Sequence, residues 1–318
     1  MKEAFGFLFF LMLATSVAGC TSKNEGKKRE NKAEEVRPAG TPGNFERAVP
    51  PAVITEPQER ADYLITHFWD KFNFRDTMYA HVPDITEQAF VDFIALFPHA
   101  SSYDKISGGV KRLLTSAEVE NVMYNYFCSL AERYLYEPNS PMRNDEYFIP
   151  FLEHIVDLPK ISDVKKVRPR HLLELAYRNR AGSKAEDFVY TTASGKTGRL
   201  YDLSAKYLLL MFYNPDCVEC QRTTEILKQS PAVADAVSSG RLKVLAVYPD
   251  ENLEAWKNHQ KDIPLSWVNA YDKSLNIKNN EIYDLKAIPT LYLLDKDKKV
   301  ILKDTSTGDI HEYLDRNR

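Results

Sequence analysis

Two cysteines separated by two residues, in Cys217-Val218-Glu219-Cys220, form the most reactive pattern in the sequence. The sequence predicts a helix over 218–229, so Cys217 would lie where free backbone N–H groups and the helix dipole stabilise a thiolate. Because the second sulfur can reach the first within one turn, we expect Cys217 to attack a disulfide and Cys220 to resolve the mixed disulfide. Half of a zinc site is the alternative, but no second cysteine pair and no His-x₃₋₅-His completes it. No metal or other cofactor is therefore expected.

Two acidic residues flank the first cysteine of this pair. Asp216 directly precedes Cys217, and Glu219 follows it by two positions. Negative charge disfavours a neighbouring thiolate, and a less stabilised thiolate makes the cysteine couple more reducing. We therefore expect these carboxylates to modulate the pKa of Cys217 and to favour a reductant. The alternative is that both acids are solvated and contribute little.

The elements around the cysteines alternate between strands and helices. The run 207–213 is continuously apolar and is typical of a central strand covered on both faces. A hairpin is expected over 187–201, further strands at 242–248, 290–294 and 300–303, and helices near 253–261 and 309–316. This pattern predicts an α/β domain over residues 181–318 that ends in an antiparallel hairpin.

The preceding region has helical rather than strand periodicity. Apolar residues recur every three or four positions after a possible capping box at Thr55, and helices are expected near 86–96, 116–135, 145–156 and 164–178. We predict an all-α domain over residues 52–180. Cys128 lies in this pattern and is interpreted as a small buried apolar side chain.

The first 51 residues differ from both domains. A charged start, a short apolar run and small residues predict a signal peptide over 1–19. Val17-Ala18-Gly19-Cys20 resembles a bacterial lipobox, which implies that Cys20 is acylated and binds a lipid bilayer. Residues 20–51 are poor in large apolar side chains, so they are expected to form a flexible tether.

Residues from about 185 onward resemble the TlpA/ResA-like branch of the thioredoxin superfamily. The resemblance is carried by Ala185-Glu186-Asp187-Phe188, by the strand–Cys-x-x-Cys–helix unit and by Tyr283-Asp284-Leu285-Lys286-Ala287-Ile288-Pro289-Thr290. It implies a thioredoxin-like mixed sheet flanked by helices and a cis bond before Pro289, where Ile288 would offer backbone groups to a substrate. Met211 departs from the pattern, because a buried Asp often occupies that position in thioredoxins. The helical region resembles an uncharacterised module that precedes thioredoxin-like domains in similar lipoproteins.

Together these features predict a membrane-anchored thiol–disulfide oxidoreductase that reduces disulfides of exported proteins. Its expected partners are protein thiols and disulfides of the cell envelope, with a membrane thiol–disulfide relay as electron donor. Near-balanced charge, formally −3, argues against nucleic acid. Thr21 after Cys20 favours the outer membrane, facing the periplasm or the surface. The alternatives are a lipoprotein scaffold that uses the helical domain and a thiol peroxidase, although Asn214 replaces the Thr or Ser typical of peroxidases.

Overall fold

A computed structural model describes residues 45–318. The predicted signal peptide, Cys20 and most of the predicted tether lie outside the described residues. The described residues all belong to one compact unit, so the boundary between 180 and 181 stays a prediction. No helix in the described part of the chain is long and apolar enough to cross a bilayer.

The N-terminal part of this unit is helical, as predicted. Its helices are α1 (Pro57–His67), α2 (Pro83–Ile94), α3 (Tyr103–Ala117), α4 (Asn121–Leu135), α5 (Asp145–Asp157) and α6 (Asp163–Tyr177). They enclose an aromatic core in which the Trp69 ring packs edge-on against Phe127 at a centroid distance of 5.0 Å. Phe90, Phe93 and Phe127 are fully buried, so the aromatic stripes form this core.

Two details of the helical prediction were wrong. The N-cap of α1 is Glu56 rather than Thr55, because Pro57 occupies the first helical position, where its missing N–H is tolerated. Helix α3 was not predicted, since Gly108 and Gly109 weaken the helical signal. Gly109 lets α3 approach α1, because a Cβ there would lie 2.5 Å from the Cγ2 of Ile65.

The C-terminal part is built on one seven-stranded mixed sheet, which confirms the predicted fold class. Its strands are β1 (Val189–Thr192), β2 (Thr197–Arg199), β3 (Tyr207–Phe212), β4 (Leu242–Tyr248), β5 (Val268–Tyr271), β6 (Thr290–Asp295) and β7 (Val300–Leu302), in the order β2-β1-β5-β4-β3-β6-β7. The flanking helices are α7 (Val218–Gln229), α8 (Pro231–Ser238), α9 (Leu253–Asn258), α10 (Asn276–Asn279) and α11 (Thr307–Arg316). The short elements β5, α8 and α10 were not predicted.

Strand β3 is central and positions the cysteine helix. It pairs in parallel with β4 and antiparallel with β6, and all six of its residues are buried. Its side chains alternate between the two faces of the sheet: Leu209 and Met211 pack on the side of Cys220, whereas Leu210 packs on the opposite side. Because both faces are covered, β3 is a rigid support for the loop that leads into α7.

Candidate active site

The two cysteines occupy the start of α7, one at its cap and one in its first turn. Cys217 is the N-cap residue, and its Sγ accepts a hydrogen bond from the backbone N–H of Cys220 at 3.2 Å. Cys217 is half-buried, whereas Cys220 is only 2% exposed, and both are free thiols. The exposed sulfur at a helix N-terminus is the one that can attack an incoming disulfide.

Cys220 is held in its protonated form by its surroundings. Burial raises the pKa of the Cys220 thiol, although the backbone N–H of Asn214, 3.5 Å from its Sγ, opposes this shift. Met211 lies fully buried in the same apolar cluster, so β3 offers no carboxylate at this position to accept the Cys220 proton. Cys220 instead lines a cleft of about 400 Å³ with titratable residues, including His259, Asp262, Glu225 and Lys228.

The segment before β6 closes the site from the other side. The Ile288–Pro289 peptide bond is cis, as the resemblance implied. The thiol of Cys217 donates a hydrogen bond to the carbonyl oxygen of Ile288 at 3.5 Å. The structure thus brings Cys217, Cys220 and the cis-proline segment together, although α7 and β6 are far apart in sequence. An extended peptide beside Cys217 would meet the backbone of this segment.

The two predicted pKa-modulating carboxylates lie at the site but point toward solvent. The Asp216 side chain is 69% exposed and lies 3.9 Å from the Nε2 of His259. The Glu219 side chain is 65% exposed and lies 3.8 Å from the guanidinium of Arg222. Sequence reasoning missed both contacts, although the spacing of Glu219 and Arg222 within one helix could have indicated that pair. Both carboxylates therefore lie where water screens their charge.

Cys128 lies away from this site, in the helical part of the chain. It is half-buried and packs against the aromatic core. Burial raises its pKa to about 12, which makes it a poor nucleophile at neutral pH. Across residues 45–318 there is no group of three or more His, Cys, Asp or Glu side chains that could hold a metal ion.

Sequence reasoning also missed charged residues around the cis-proline segment. Lys286 precedes Pro289 by three positions, and its ammonium lies 2.5 Å from a carboxylate oxygen of Asp145 at the start of α5. These residues are 141 positions apart in the chain, and no local pattern relates them.

Two family models match the chain. One, described as "Domain of unknown function (DUF5106)", matches residues 19–179, and another, described as "Thioredoxin-like", matches residues 205–300. A crystal structure of a thioredoxin-like protein from Bacteroides caccae is 45% identical, with a TM-score of 0.84, and the match covers 87% of this chain and all of that one.

Curated relatives extend the comparison to named enzymes. The thiol-disulfide oxidoreductase ResA of Bacillus cereus is 30% identical over 122 residues, which span 38% of this chain and 68% of the relative. The ResA protein of Bacillus thuringiensis is 30% identical over 136 residues, which span 42% of this chain and 76% of the relative. The likeness to ResA thus concerns less than half of this chain.

Proposed function

We propose that this protein reduces disulfides of exported proteins through Cys217 and Cys220. The chain belongs to the thioredoxin-like thiol–disulfide oxidoreductases and has an N-terminal DUF5106 region. One observation carries the proposal. The Sγ of Cys217 caps α7 by accepting a hydrogen bond from the backbone N–H of Cys220 at 3.2 Å, and it lies 3.5 Å from the carbonyl oxygen of Ile288. A nucleophilic sulfur, its resolving partner and a backbone surface for the substrate therefore meet at one point.

The proposed reaction has two exchange steps. The thiolate of Cys217 attacks one sulfur of the substrate disulfide, and the other substrate sulfur leaves as a thiolate that takes up a proton. Cys220 then loses its proton and attacks the Sγ of Cys217, which releases the second substrate thiol and leaves a Cys217–Cys220 disulfide. Two electrons and two protons pass from the enzyme to the substrate.

The second step needs a group that removes the Cys220 proton. Burial holds this sulfur as a thiol, and Met211 cannot accept a proton. The cleft that Cys220 shares with His259, Asp262 and Glu225 is the open side of the sulfur, so we infer that the proton leaves through it. The rate at which Cys220 attacks the mixed disulfide then depends on proton transfer into this cleft rather than on a buried carboxylate.

The proposed direction is reduction, and the charges beside Cys217 support it. Its two acidic neighbours, Asp216 and Glu219, are solvent-exposed, and negative charge beside a sulfur in general works against a thiolate, weakly where water screens it. A couple whose thiolate is less stabilised has a lower reduction potential and therefore reduces substrate disulfides more readily. The oxidised pair must then be reduced again, and we propose a membrane thiol–disulfide relay as the donor.

We also propose that the enzyme is a lipoprotein of the cell envelope, with the outer membrane favoured. Support comes from the lipobox-like Val17-Ala18-Gly19-Cys20 and the polar composition of the residues that follow. Mass spectrometry of the N-terminal peptide of the mature protein tests this, and an acylated Cys20 at the new N-terminus is expected. An N-terminus elsewhere, or an unmodified Cys20, would exclude lipid anchoring.

A trapping experiment tests the proposed function. In a Cys220→Ser variant the mixed disulfide on Cys217 cannot be resolved, so substrate proteins should remain attached and be identified after purification. The matched control, Cys217→Ser, should trap nothing because the attacking sulfur is absent. Equal adducts on both variants, or no adducts on either, would contradict the proposal.

A further inference from the structure

The backbone over 280–282, in the segment that leads to the cis proline, is held by residues at the end of the helical region. The guanidinium of Arg178 donates to the carbonyl oxygens of Asn280 and Glu281 at 2.8 and 2.7 Å. The side-chain amide of Asn179 donates to the carbonyl of Ile282 at 2.7 Å. Three successive carbonyls of the segment that leads to Pro289 are therefore fixed by the two residues that follow α6.

A buried ion cluster continues this attachment closer to the proline. The carboxylate of Asp145 lies 2.5 Å from the ammonium of Lys286 and 2.8 Å from that of Lys303, and the Asp145 and Lys286 side chains are only 6% and 3% exposed. The Lys286 ammonium also lies 3.3 Å from Asp284 and 4.7 Å from the ring centroid of Tyr136. Lys286 is thus enclosed by groups from the helical region as well as from its own segment.

The contacts of Lys303 strengthen the same junction. Its ammonium donates to the carbonyl oxygens of Ala176 and Arg178 at 2.9 and 2.7 Å, at the end of α6. Cations at a helix C-terminus pair favourably with its free carbonyls. Asp145 therefore joins the residue after β7, the end of α6 and the cis-proline segment through two lysines.

The two carboxylates nearest to Lys286, those of Asp145 and Asp284, differ in how well their charges are compensated. Asp304 lies further from the Lys286 ammonium, at 3.9 Å. Burial opposes ionisation of Asp145, but Lys286 and Lys303 together outweigh it, so the pKa of Asp145 lies below its usual range. Burial raises the pKa of Asp284, and the attraction of Lys286 does not fully offset it. Asp145 is accordingly the principal counter-ion of Lys286.

We propose that Asp145 is a positioning residue for the disulfide exchange. Through Lys286 it fixes the segment that presents Ile288 and Pro289 beside Cys217, which makes the helical region part of the substrate-binding apparatus. This inference rests on the proposed reduction of protein disulfides. A substrate that lies along the cis-proline segment would bind less well without Asp145, whereas a small reagent that needs only the Cys217 sulfur would react unchanged.

The test compares Asp145→Asn with Glu146→Gln in the full chain. Glu146 is the neighbouring residue in the first turn of α5 and pairs with Arg180 rather than with the cis-proline segment, so it is a matched control. We expect Asp145→Asn to raise KM for insulin disulfides about tenfold with little change in kcat. Alkylation of Cys217 by iodoacetamide should stay at the rate of the unmodified chain, and Glu146→Gln should change neither quantity.

Hydrogen exchange of the backbone amides over 280–289 provides a readout that does not depend on activity. We expect faster exchange in Asp145→Asn and unchanged exchange in Glu146→Gln. Unchanged KM and unchanged exchange in a folded Asp145→Asn variant would overturn the positioning role. If the unmodified chain fails to reduce insulin, the proposed function is overturned, whereas the exchange comparison still decides whether Asp145 fixes the segment.

Arg178→Ala provides a second variant that leaves the buried charges intact. It removes the two hydrogen bonds to Asn280 and Glu281 and should raise KM in the same direction, with faster exchange over 280–289. If Asp145→Asn does not fold, this variant decides the outcome. Exchange and KM equal to those of the unmodified chain would then contradict the proposal.

Discussion

Two pairs of carboxylates in the same molecule lie in opposite environments. Asp216 and Glu219, beside Cys217, are 69% and 65% exposed and lie 3.9 Å from the imidazole of His259 and 3.8 Å from the guanidinium of Arg222. Asp145 and Asp284, beside Lys286, are 6% and 7% exposed and lie 2.5 and 3.3 Å from its ammonium. All four are carboxylates, but the first pair is in contact with water and the second is largely shielded from it.

The exposed carboxylates lie where disulfide exchange is proposed to take place, whereas the buried carboxylates hold the backbone in position. Water screens the charges at the sulfur site, where exposed ion pairs contribute about 0–1 kcal/mol. The buried charges at Lys286 interact strongly, and removing one partner leaves an uncompensated charge. A site that admits protein substrates must stay open to solvent, so the strong electrostatic contacts lie behind it, where they hold the cis-proline segment.

The largest difference between the effect on activity and the effect on stability is expected when the reactive sulfur is removed. Cys217→Ser should lower insulin reduction by at least about 10³-fold, because a hydroxyl cannot replace the thiolate nucleophile. Its free energy of unfolding, measured with urea, should change by less than about 1 kcal/mol, since this side chain is half-buried and makes weak contacts. Cys128→Ala is the control and should retain turnover. Substantial activity without Cys217 would place the chemistry elsewhere.

Substitution in the ion cluster should instead lower the free energy of unfolding more than it lowers kcat. Asp145→Asn should lower the free energy of unfolding at pH 7 by about 3 kcal/mol, because Lys286 and Lys303 lose their shared buried counter-ion. Asp284→Asn should have a much smaller effect, since burial raises the pKa of Asp284 and its charge is poorly compensated. Urea unfolding of both variants measures the difference. Equal losses would show that the two carboxylates share the role assigned to Asp145.

The contribution of Asp145 to the free energy of unfolding should also depend on pH, and it should decrease in acid. The pKa of Asp145 is lowered below 3.8, so its stabilising effect is present above the unfolded value and is lost as the pH falls through the folded value. Asp284, whose pKa is raised, contributes in the opposite sense, since its protonation favours the folded state. The stability gap between Asp145→Asn and the unmodified chain should therefore narrow below about pH 4. A gap that persists in acid would contradict the charge-based explanation.

The smallest effects are expected at the exposed carboxylates. Asp216→Asn and Glu219→Gln should each make the Cys217–Cys220 couple less reducing, because removing a negative charge stabilises the thiolate. Each shift should be below ~30 mV, which corresponds to ~1.4 kcal/mol for a two-electron couple. Redox titration measures these shifts, with Glu312→Gln on α11, which pairs with Arg316 away from the cysteines, as a control. No shift in either variant would favour the interpretation that both acids are solvated and contribute little.

The sulfur site could be predicted from sequence because its parts are local. The apolar strand, the two cysteines and the helix over 218–229 are consecutive, and the structure has α7 at Val218–Gln229. The cis-proline segment was found only through a resemblance, since nothing in 283–290 itself indicates contact with Cys217.

Other features could not be predicted for identifiable physical reasons. Helix α3 was missed because Gly108 and Gly109 lower its helix propensity, although Gly109 serves close packing against Ile65. The ion cluster at Lys286 was missed because Asp145, on a distant helix, meets it only after folding. The contact of His259 with Asp216 was missed because it depends on the turn after α9 and not on a local pattern.

The reduction potential of the Cys217–Cys220 couple in the full chain tests the central claim most directly. Equilibration with glutathione or dithiothreitol buffers, followed by thiol quantification, gives this value. We expect a potential near ~−270 mV, in the range of thioredoxin and suited to reducing protein disulfides. A value near ~−120 mV, typical of strong periplasmic oxidants, would contradict the account.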